Sequence, residues 1–447
     1  MKFLKNPFIR GTMYLTLAGF VSRIIGFFFR IFIAHSFGEE AMGIYQLTGP
    51  VMALSYSLCC AGLQTALSKF VAKYDSSHSP STMYGLLVAT GITSVCLSAM
   101  MSSVVFLNAD TIACTVLLEE RTAPLLRILA LSFPLSAIHC CINGFYYGIK
   151  KTSIPSLMQL FEQVTRVSSV WILYTISSTY YHSAPLSLLM AGSVIAEGLA
   201  SIFSIGFIFS DYRKNGLNTL TVNAGIFFPV LKMALPLSFT RIVVNLLQSV
   251  ESVYIPEMLR SFGMTTKEAL SIYGVLTGMA LSLILFPTAI TNSVAVLLLP
   301  MVSNADAEGN QQKIKQALSR SIACCTLLGG ASTVFFLTFG NFLGDLLFHS
   351  KTAGHFICGL SFICPFLYLN TALSSILHGL GKAFATFWVN TSSLLIRIAF
   401  VIILIPKIGI TGYLLGLLTS QLTSCLFYLF FLRNYLSIGE IRKIYKK

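Results

Sequence analysis

The chain has 447 residues, of which 55% are hydrophobic and only 10% are charged, and its mean hydropathy is +0.78. Soluble domains carry about 25% charged residues, so this composition excludes a water-soluble globular protein and indicates one that lies in lipid. The formal net charge of +14 does not indicate nucleic-acid binding. The basic residues form short clusters between long apolar runs, and no known nucleic-acid-binding motif is recognisable.

Twelve apolar runs are long enough to cross a bilayer as a helix, which takes about 20 residues. In chain order the predicted spans are 11–37, 43–67, 82–107, 122–147, 153–179 and 184–209 in the first half, and 227–254, 270–299, 319–340, 352–378, 383–406 and 410–432 in the second. Nearly all of the eleven cysteines lie inside these runs without metal-ligand spacing. We therefore expect packing residues there, with no disulfide, metal or cofactor.

The lysines and arginines between the spans predict the orientation of the chain. With the N-terminus inside, nineteen of the thirty fall in cytoplasmic segments, five on the opposite side and six within spans. Because basic residues concentrate in cytoplasmic loops, both termini are predicted to be cytoplasmic, in a multi-pass protein of the cytoplasmic membrane. All the loops are short, so we expect a transporter and not an enzyme.

An internal repeat relates the two halves of the sequence. Four residues of the first half recur 231 positions later: Pro134 as Pro365, Gly148 as Gly379, Lys151 as Lys382 and Arg166 as Arg397. Six spans return the chain to its starting side, so the repeats are parallel, as in many transporters. The sequence predicts an N-terminal six-helix lobe at 1–210, a cytoplasmic linker at 211–226, a C-terminal six-helix lobe at 227–435 and a basic tail at 436–447.

Four arginines lie at one predicted depth inside the spans: Arg23, Arg166, Arg241 and Arg397. Each is about 20 Å from the start of its span at 1.5 Å per residue, which is near the middle of the bilayer. An arginine at that depth costs about 2.5–3.5 kcal/mol even on the lenient insertion scale, so each needs an acidic partner or an anionic substrate.

Two interpretations of these arginines stay open. Arg166 and Arg397 are candidates for structural ion pairs, because Glu162 precedes Arg166 by one helical turn. The other acids predicted within spans are Glu197 and Glu251, of which Glu251 is also a candidate for ion coupling.

Arg23 and Arg241 have no acid within one turn and favour contact with a substrate. In the seventh helix Arg241, Asn245 and Gln248 form a polar stripe, and Arg30 shares a face of the first helix with Arg23. A polar stripe on an apolar helix predicts a water-filled cavity or a polar neighbour, and because the repeat relates the first and seventh helices, a shared central cavity is the more economical interpretation. Guanidinium groups would suit a phosphate or pyrophosphate there through paired charge-assisted hydrogen bonds.

The segment 22–30, Ser-Arg-Ile-Ile-Gly-Phe-Phe-Phe-Arg, and the segment 35–47, His-Ser-Phe-Gly-Glu-Glu-Ala-Met-Gly-Ile-Tyr-Gln-Leu, resemble the opening of the polysaccharide-biosynthesis flippases, most closely the stage V sporulation protein B branch. The segment 61–71 is similar too, as is Gly-x-x-Lys after the fourth and tenth spans. This resemblance implies the all-α MATE/MOP-type fold (multidrug/oligosaccharidyl-lipid/polysaccharide exporter), with two six-helix lobes in a V.

The resemblance further implies export of a lipid-linked saccharide, an undecaprenyl-pyrophosphate-linked precursor of cell wall, spore cortex or another polysaccharide, by alternating access. Arg23 and Arg241 would hold the pyrophosphate. The residues expected to line the route are Arg30, Gln46, Gln64, Asn245 and Gln248. The expected partners are this substrate, membrane lipid and cell-wall synthesis enzymes, and coupling to H⁺, Na⁺ or the membrane potential stays open.

A multidrug/cation antiporter of the same fold is the alternative, and it would depend on Glu197 or Glu251 and be indifferent to Arg23. A membrane-embedded enzyme of polyprenyl-phosphate chemistry fits less well, because the short loops offer no nucleophile or acid-rich constellation.

Overall fold

The computed structural model describes residues 7–76, 79–182, 184–214 and 224–444. The regular structure in this part of the chain is entirely helical, which confirms the predicted all-α class. The predicted linker at 211–226 and basic tail at 436–447 lie partly outside the described residues.

Eighteen α-helices follow one another along the described chain. They are α1 Pro7–Leu47, α2 Gly49–Tyr56, α3 Gly62–Ser76, α4 Pro80–Leu107, α5 Ala109–Thr111, α6 Ala123–Ala130, α7 Ser132–Gly148, α8 Ser153–Tyr181, α9 Ser187–Lys214, α10 Ala224–Ser261, α11 Thr266–Gly274, α12 Leu281–Ile284, α13 Thr288–Ala307, α14 Gln311–Phe348, α15 Lys351–Leu360, α16 Cys364–Gly379, α17 Ala383–Ile408 and α18 Ile410–Ile444. Short π- and 3₁₀-helical turns, such as the π-turn Ser57–Ala61, join several of them.

By length and composition, ten helical stretches among the described residues could cross a membrane, or eleven if the pair α6 and α7, bent by 46°, is one span. Every predicted span lies mostly on helix, but the helices divide the chain differently from the prediction. The first two predicted spans form one stretch, Met13–Ser76, whereas the span 270–299 falls on two stretches, Thr266–Ile284 and Thr288–Ala307. Helix α8 is not among the ten, because Glu162, Arg166 and its serines and threonines lower its mean hydropathy.

Gly38 interrupts α1 at the boundary between the first two predicted spans. Its backbone angles, φ 85° and ψ 176°, are not helical. At this φ an L side chain is strained, whereas glycine adopts it freely. Gly38 therefore lets the chain change direction within a stretch that otherwise stays helical.

The described chain forms two compact units. The first unit comprises Met1–Phe29 and Ile44–Ser249, and the second comprises Arg30–Gly43 and Val250–Lys447. The part Arg30–Gly43 of α1 thus belongs to the second unit, whereas the last turn of α1, from Ile44, and most of α10 belong to the first. The lobes at 1–210 and 227–435, which follow from the repeat alone, stay a prediction.

In the first unit, α10 lies close against α3. A Cβ atom on Gly62 would lie 2.1 Å from the Ser238 Oγ and 2.5 Å from the carbonyl oxygen of Ala234. Ala234 also belongs to a buried cluster with Leu67 and Tyr146. The missing side chain of Gly62 is therefore what allows α10 to approach α3 at this distance.

In the second unit, the part Arg30–Gly43 of α1 lies equally close to α11. A Cβ atom on Gly43 would lie 2.1 Å from the carbonyl oxygen of Leu270, and one on Gly274 would lie 2.3 Å from that of Glu39. The Glu39 carboxylate also accepts a hydrogen bond of 2.6 Å from the Ser271 hydroxyl. Two facing glycines and one polar contact fix this pair of helices.

We expect Gly62→Ala and Gly274→Ala each to lower the melting temperature of the detergent-purified protein. The added methyl group meets backbone atoms that cannot move aside, and overpacking of this kind costs about 1–3 kcal/mol. Gly91→Ala and Gly330→Ala are the matched controls, because no atom lies within 4 Å of the added Cβ. In these controls the better helix propensity of alanine should leave the melting temperature unchanged or raise it. Equal melting temperatures for Gly274→Ala and Gly330→Ala would contradict the close packing.

Candidate functional site

Arg23 and Arg241, the two residues predicted to hold an anion, both lie in the first unit, on α1 and α10. Both side chains are exposed. The Arg241 guanidinium donates a hydrogen bond of 3.4 Å to the Thr65 hydroxyl on α3. Two guanidinium groups of the first unit are therefore exposed in the structure, which is a property that an anion site needs.

The polar stripe of α10 faces polar groups of the second predicted span. Asn245 donates to the carbonyl oxygen of Ala53 at 3.3 Å and to the Ser57 hydroxyl. Ser57 begins the π-turn that joins α2 to α3, and π-turns occur often at functional sites. Together with the contact between Arg241 and Thr65, these bonds form a polar seam along α10, α2 and α3.

Gln64 lies next to Thr65 at this seam and accepts a hydrogen bond of 3.2 Å from the Tyr56 hydroxyl. The structure therefore brings Gln64 into the same part of the first unit as Arg241 and Asn245. Gln248 is exposed one turn further along α10. Sequence analysis missed Ser57 and Thr65, although the spacing of seven residues between Ser57 and Gln64 was a signal that the two share a helix face.

Gln46 and Arg30 belong to different units. Gln46 is half-buried in the last turn of α1 and belongs to the first unit. Arg30 belongs to the second unit, where its guanidinium donates to the Ser282 hydroxyl on α12. Although Arg23 and Arg30 share a face of α1 by their spacing, they belong to different units.

A buried charge cluster lies where α7, α8 and α9 meet in the first unit. The Arg166 guanidinium contacts the Glu162 carboxylate one turn away and lies 3.6 Å from Glu197 Oε1. The His139 ring completes the cluster, with Nδ1 at 3.1 Å from Glu197 Oε2 and Nε2 at 3.9 Å from Glu162 Oε2. Two carboxylates thus share one arginine and one histidine.

The ligand atoms of His139, Glu162 and Glu197 lie within 4.8 Å of one another, a spacing that could hold a metal ion. The Arg166 guanidinium already contacts the Glu162 carboxylate and lies 3.6 Å from that of Glu197, so this guanidinium occupies the position of a cation in the cluster. The sequence analysis did not include His139 among the candidate site residues, and nothing in the sequence relates it to acids on two later helices.

The second unit contains a smaller charge cluster around Glu251 of α10, which is buried. Its Oε2 lies 2.8 Å from the Arg397 Nη2 of α17, and its Oε1 accepts a hydrogen bond of 2.9 Å from the Tyr413 hydroxyl of α18. One carboxylate is therefore matched by one guanidinium and one hydroxyl donor. The repeat relates Arg397 to Arg166, and each of the two contacts a buried glutamate of its own unit.

Comparisons with known proteins give the family and the fold. Residues 8–306 match the sequence profile of the family described as "Polysaccharide biosynthesis protein". Stage V sporulation protein B of Bacillus subtilis (strain 168) is 29% identical over 425 residues, covering 93% of this chain and 82% of that protein. The lipid II flippase MurJ of the same organism is 22% identical over 413 residues, covering 85% and 74%.

Solved structures of multidrug and related transporters share the fold. The inward-facing conformation of a multidrug resistance MATE family transporter of the MOP superfamily matches with a TM-score of 0.74 at 14% identity, over 94% of this chain and 95% of that one. A MOP superfamily transporter from Pyrococcus furiosus matches with a TM-score of 0.67 at 14% identity, over 97% of each chain. The chain therefore belongs to the polysaccharide biosynthesis protein family and is a multi-pass membrane protein with the fold of the MOP-superfamily transporters.

Proposed function

We propose that this protein is a flippase that carries an undecaprenyl-pyrophosphate-linked saccharide from the cytoplasmic to the outer leaflet by alternating access. The observation that carries the proposal is the pair of exposed guanidinium groups of Arg23 and Arg241 in the first unit. Guanidinium groups bind phosphate oxygens through paired, charge-assisted hydrogen bonds. The polar seam of Asn245 and Gln64 beside Arg241 offers amide groups for the sugar.

The charges within the spans favour an anionic over a cationic substrate. A cationic drug needs an accessible carboxylate, but Glu197 and Glu251 are both buried and each lies within 4 Å of an arginine guanidinium. The in-span charges that are exposed at the candidate site are those of Arg23 and Arg241. These observations support the flippase over the antiporter of the same fold.

The relatives narrow the proposed substrate class. A protein named as a lipid II flippase matches 85% of this chain, and a stage V sporulation protein matches 93%. The flippase name supports a lipid-linked cell-wall precursor as the substrate, and the sporulation name is our reason for including a spore-cortex precursor in the proposal. We propose cell-wall synthesis enzymes as partners. Coupling to H⁺, Na⁺ or the membrane potential is compatible with the site.

The first test of this proposal is the double variant Arg23→Ala/Arg241→Ala. A hydrogen bond to a charged group contributes about 1.5–3 kcal/mol, so its Kd for an undecaprenyl-pyrophosphate saccharide should rise at least about tenfold. Binding is measured on the purified protein by native mass spectrometry, and flipping in vesicles that contain it. Arg433→Ala, which removes an exposed arginine near the end of α18, is the control and should bind like the wild type. Equal binding by the double variant would remove the anion site from the proposal and favour the antiporter.

The second test concerns the Glu251 cluster. Glu251→Gln leaves the Arg397 guanidinium in the protein interior without its carboxylate, and breaking a buried pair in this way costs about 3–5 kcal/mol. We expect a lower melting temperature, partly restored in Glu251→Gln/Arg397→Gln, with saccharide flipping retained by the double variant. If Glu251→Gln stays folded and abolishes efflux of a cationic drug, the antiporter is correct.

The third test concerns the predicted orientation of the chain in the membrane, with both termini in the cytoplasm. Lys351 and Lys382 flank the stretch α15 to α16 and are both exposed. In a background without the exposed Cys96, Cys114 and Cys324, a membrane-impermeant maleimide should label Lys351→Cys in intact cells. Lys382→Cys should react only after the cells are permeabilised. The reverse labelling pattern would place both termini outside.

A further inference from the structure

A pocket of about 310 Å³ lies between α13 and α14 in the second unit. One wall is apolar and consists of Val294, Leu298 and Met301, which are four and three residues apart and therefore share one face of α13. The opposite wall is one face of α14, which presents Lys313, Gln316, Ala317, Arg320, Ser321 and Cys324. The pocket thus combines an apolar wall with two cations and an amide.

The two cations are placed at different depths along α14. Lys313 is the third residue of the helix, and its backbone N–H is capped by the side chain of Asn310. Arg320 follows seven residues later, about 10 Å further along the helix axis. Helix α14 is long and apolar enough to cross a membrane. Basic residues concentrate where a span leaves the bilayer, so we expect Lys313 at the headgroup level and Arg320 nearer the hydrocarbon.

The charges of the pocket are not cancelled within it. The Lys313 Nζ lies 2.8 Å from Glu308 Oε2, an exposed carboxylate in the turn before α14. Arg320 lines the pocket wall and is exposed. Counting Lys313, Arg320 and Glu308 together leaves one positive charge at the site. A guanidinium presents a planar fork of donors that fits a phosphate, and the Gln316 amide lies on the same wall.

We propose that this α13–α14 pocket binds one anionic phospholipid, with the phosphate on Arg320 and Lys313 and an acyl chain along Val294, Leu298 and Met301. A phospholipid headgroup and free inorganic phosphate would both offer an anionic phosphate to the two cations. Only the phospholipid also has an acyl chain that can pack against the apolar wall, so we favour the phospholipid. Basic pockets between membrane helices bind anionic headgroups for this reason. The pocket is lined by residues of the second unit, whereas Arg23 and Arg241 belong to the first, so the pocket shares no residue with the proposed pyrophosphate site.

The test is binding of phosphatidylglycerol, phosphatidylcholine and inorganic phosphate to the purified full-length protein by native mass spectrometry and thermal unfolding. Phosphatidylglycerol should bind and raise the melting temperature of the wild type. Arg320→Gln should weaken this binding about tenfold, with an unchanged melting temperature in lipid-free detergent. Lys315→Gln is the matched control, because this exposed lysine lies on the same helix but does not line the pocket, and it should behave like the wild type.

A second variant tests the apolar wall without changing the charge. Met301 is 49% exposed, so Met301→Trp should fold and fill the pocket, and it should lower the affinity for phosphatidylglycerol as Arg320→Gln does. Equal affinity of the wild type for phosphatidylglycerol and phosphatidylcholine would overturn the proposal. So would displacement of the lipid by millimolar inorganic phosphate, or unchanged lipid binding in both Arg320→Gln and Met301→Trp.

Discussion

A charged group in hydrocarbon lacks the water that would solvate it, and the polar architecture of this protein follows from that constraint. Glu251 of α10 is buried against Arg397 of α17 and Tyr413 of α18, so a single carboxylate holds three helices of the second unit together. In the first unit Arg166 lies on the carboxylates of Glu162 and Glu197, which come from α8 and α9. Each ion pair therefore fixes the packing of helices as well as neutralising a charge.

The two clusters differ in their charge balance. The second unit matches one carboxylate with one guanidinium, whereas the first unit has two carboxylates for one guanidinium and adds His139. Imidazole changes its charge near neutral pH, so a proton on His139 would balance the first cluster.

The exposed in-span arginines have a different environment from the half-buried ones. Arg166 contacts two carboxylates and Arg397 contacts one, whereas Arg23 and Arg241 are exposed and the Arg241 guanidinium donates to the Thr65 hydroxyl at 3.4 Å. The same residue type thus serves packing in one place and is available to a ligand in another. This division, with the family of the chain, is the physical basis on which we propose a phosphate-bearing substrate.

The sequence by itself determined the membrane location, the all-helical class, the placement of each predicted span on helix and the family, because these depend on local apolar runs and contiguous motifs. Only the tertiary structure decided which helices each charge joins. Arg166 and Glu162 are one turn apart and could be paired from their spacing, but His139 and Glu197 lie on other helices. The close approach at Gly62 and Gly274 and the pocket beside Arg320 also depend on distances between helices, which hydropathy does not encode.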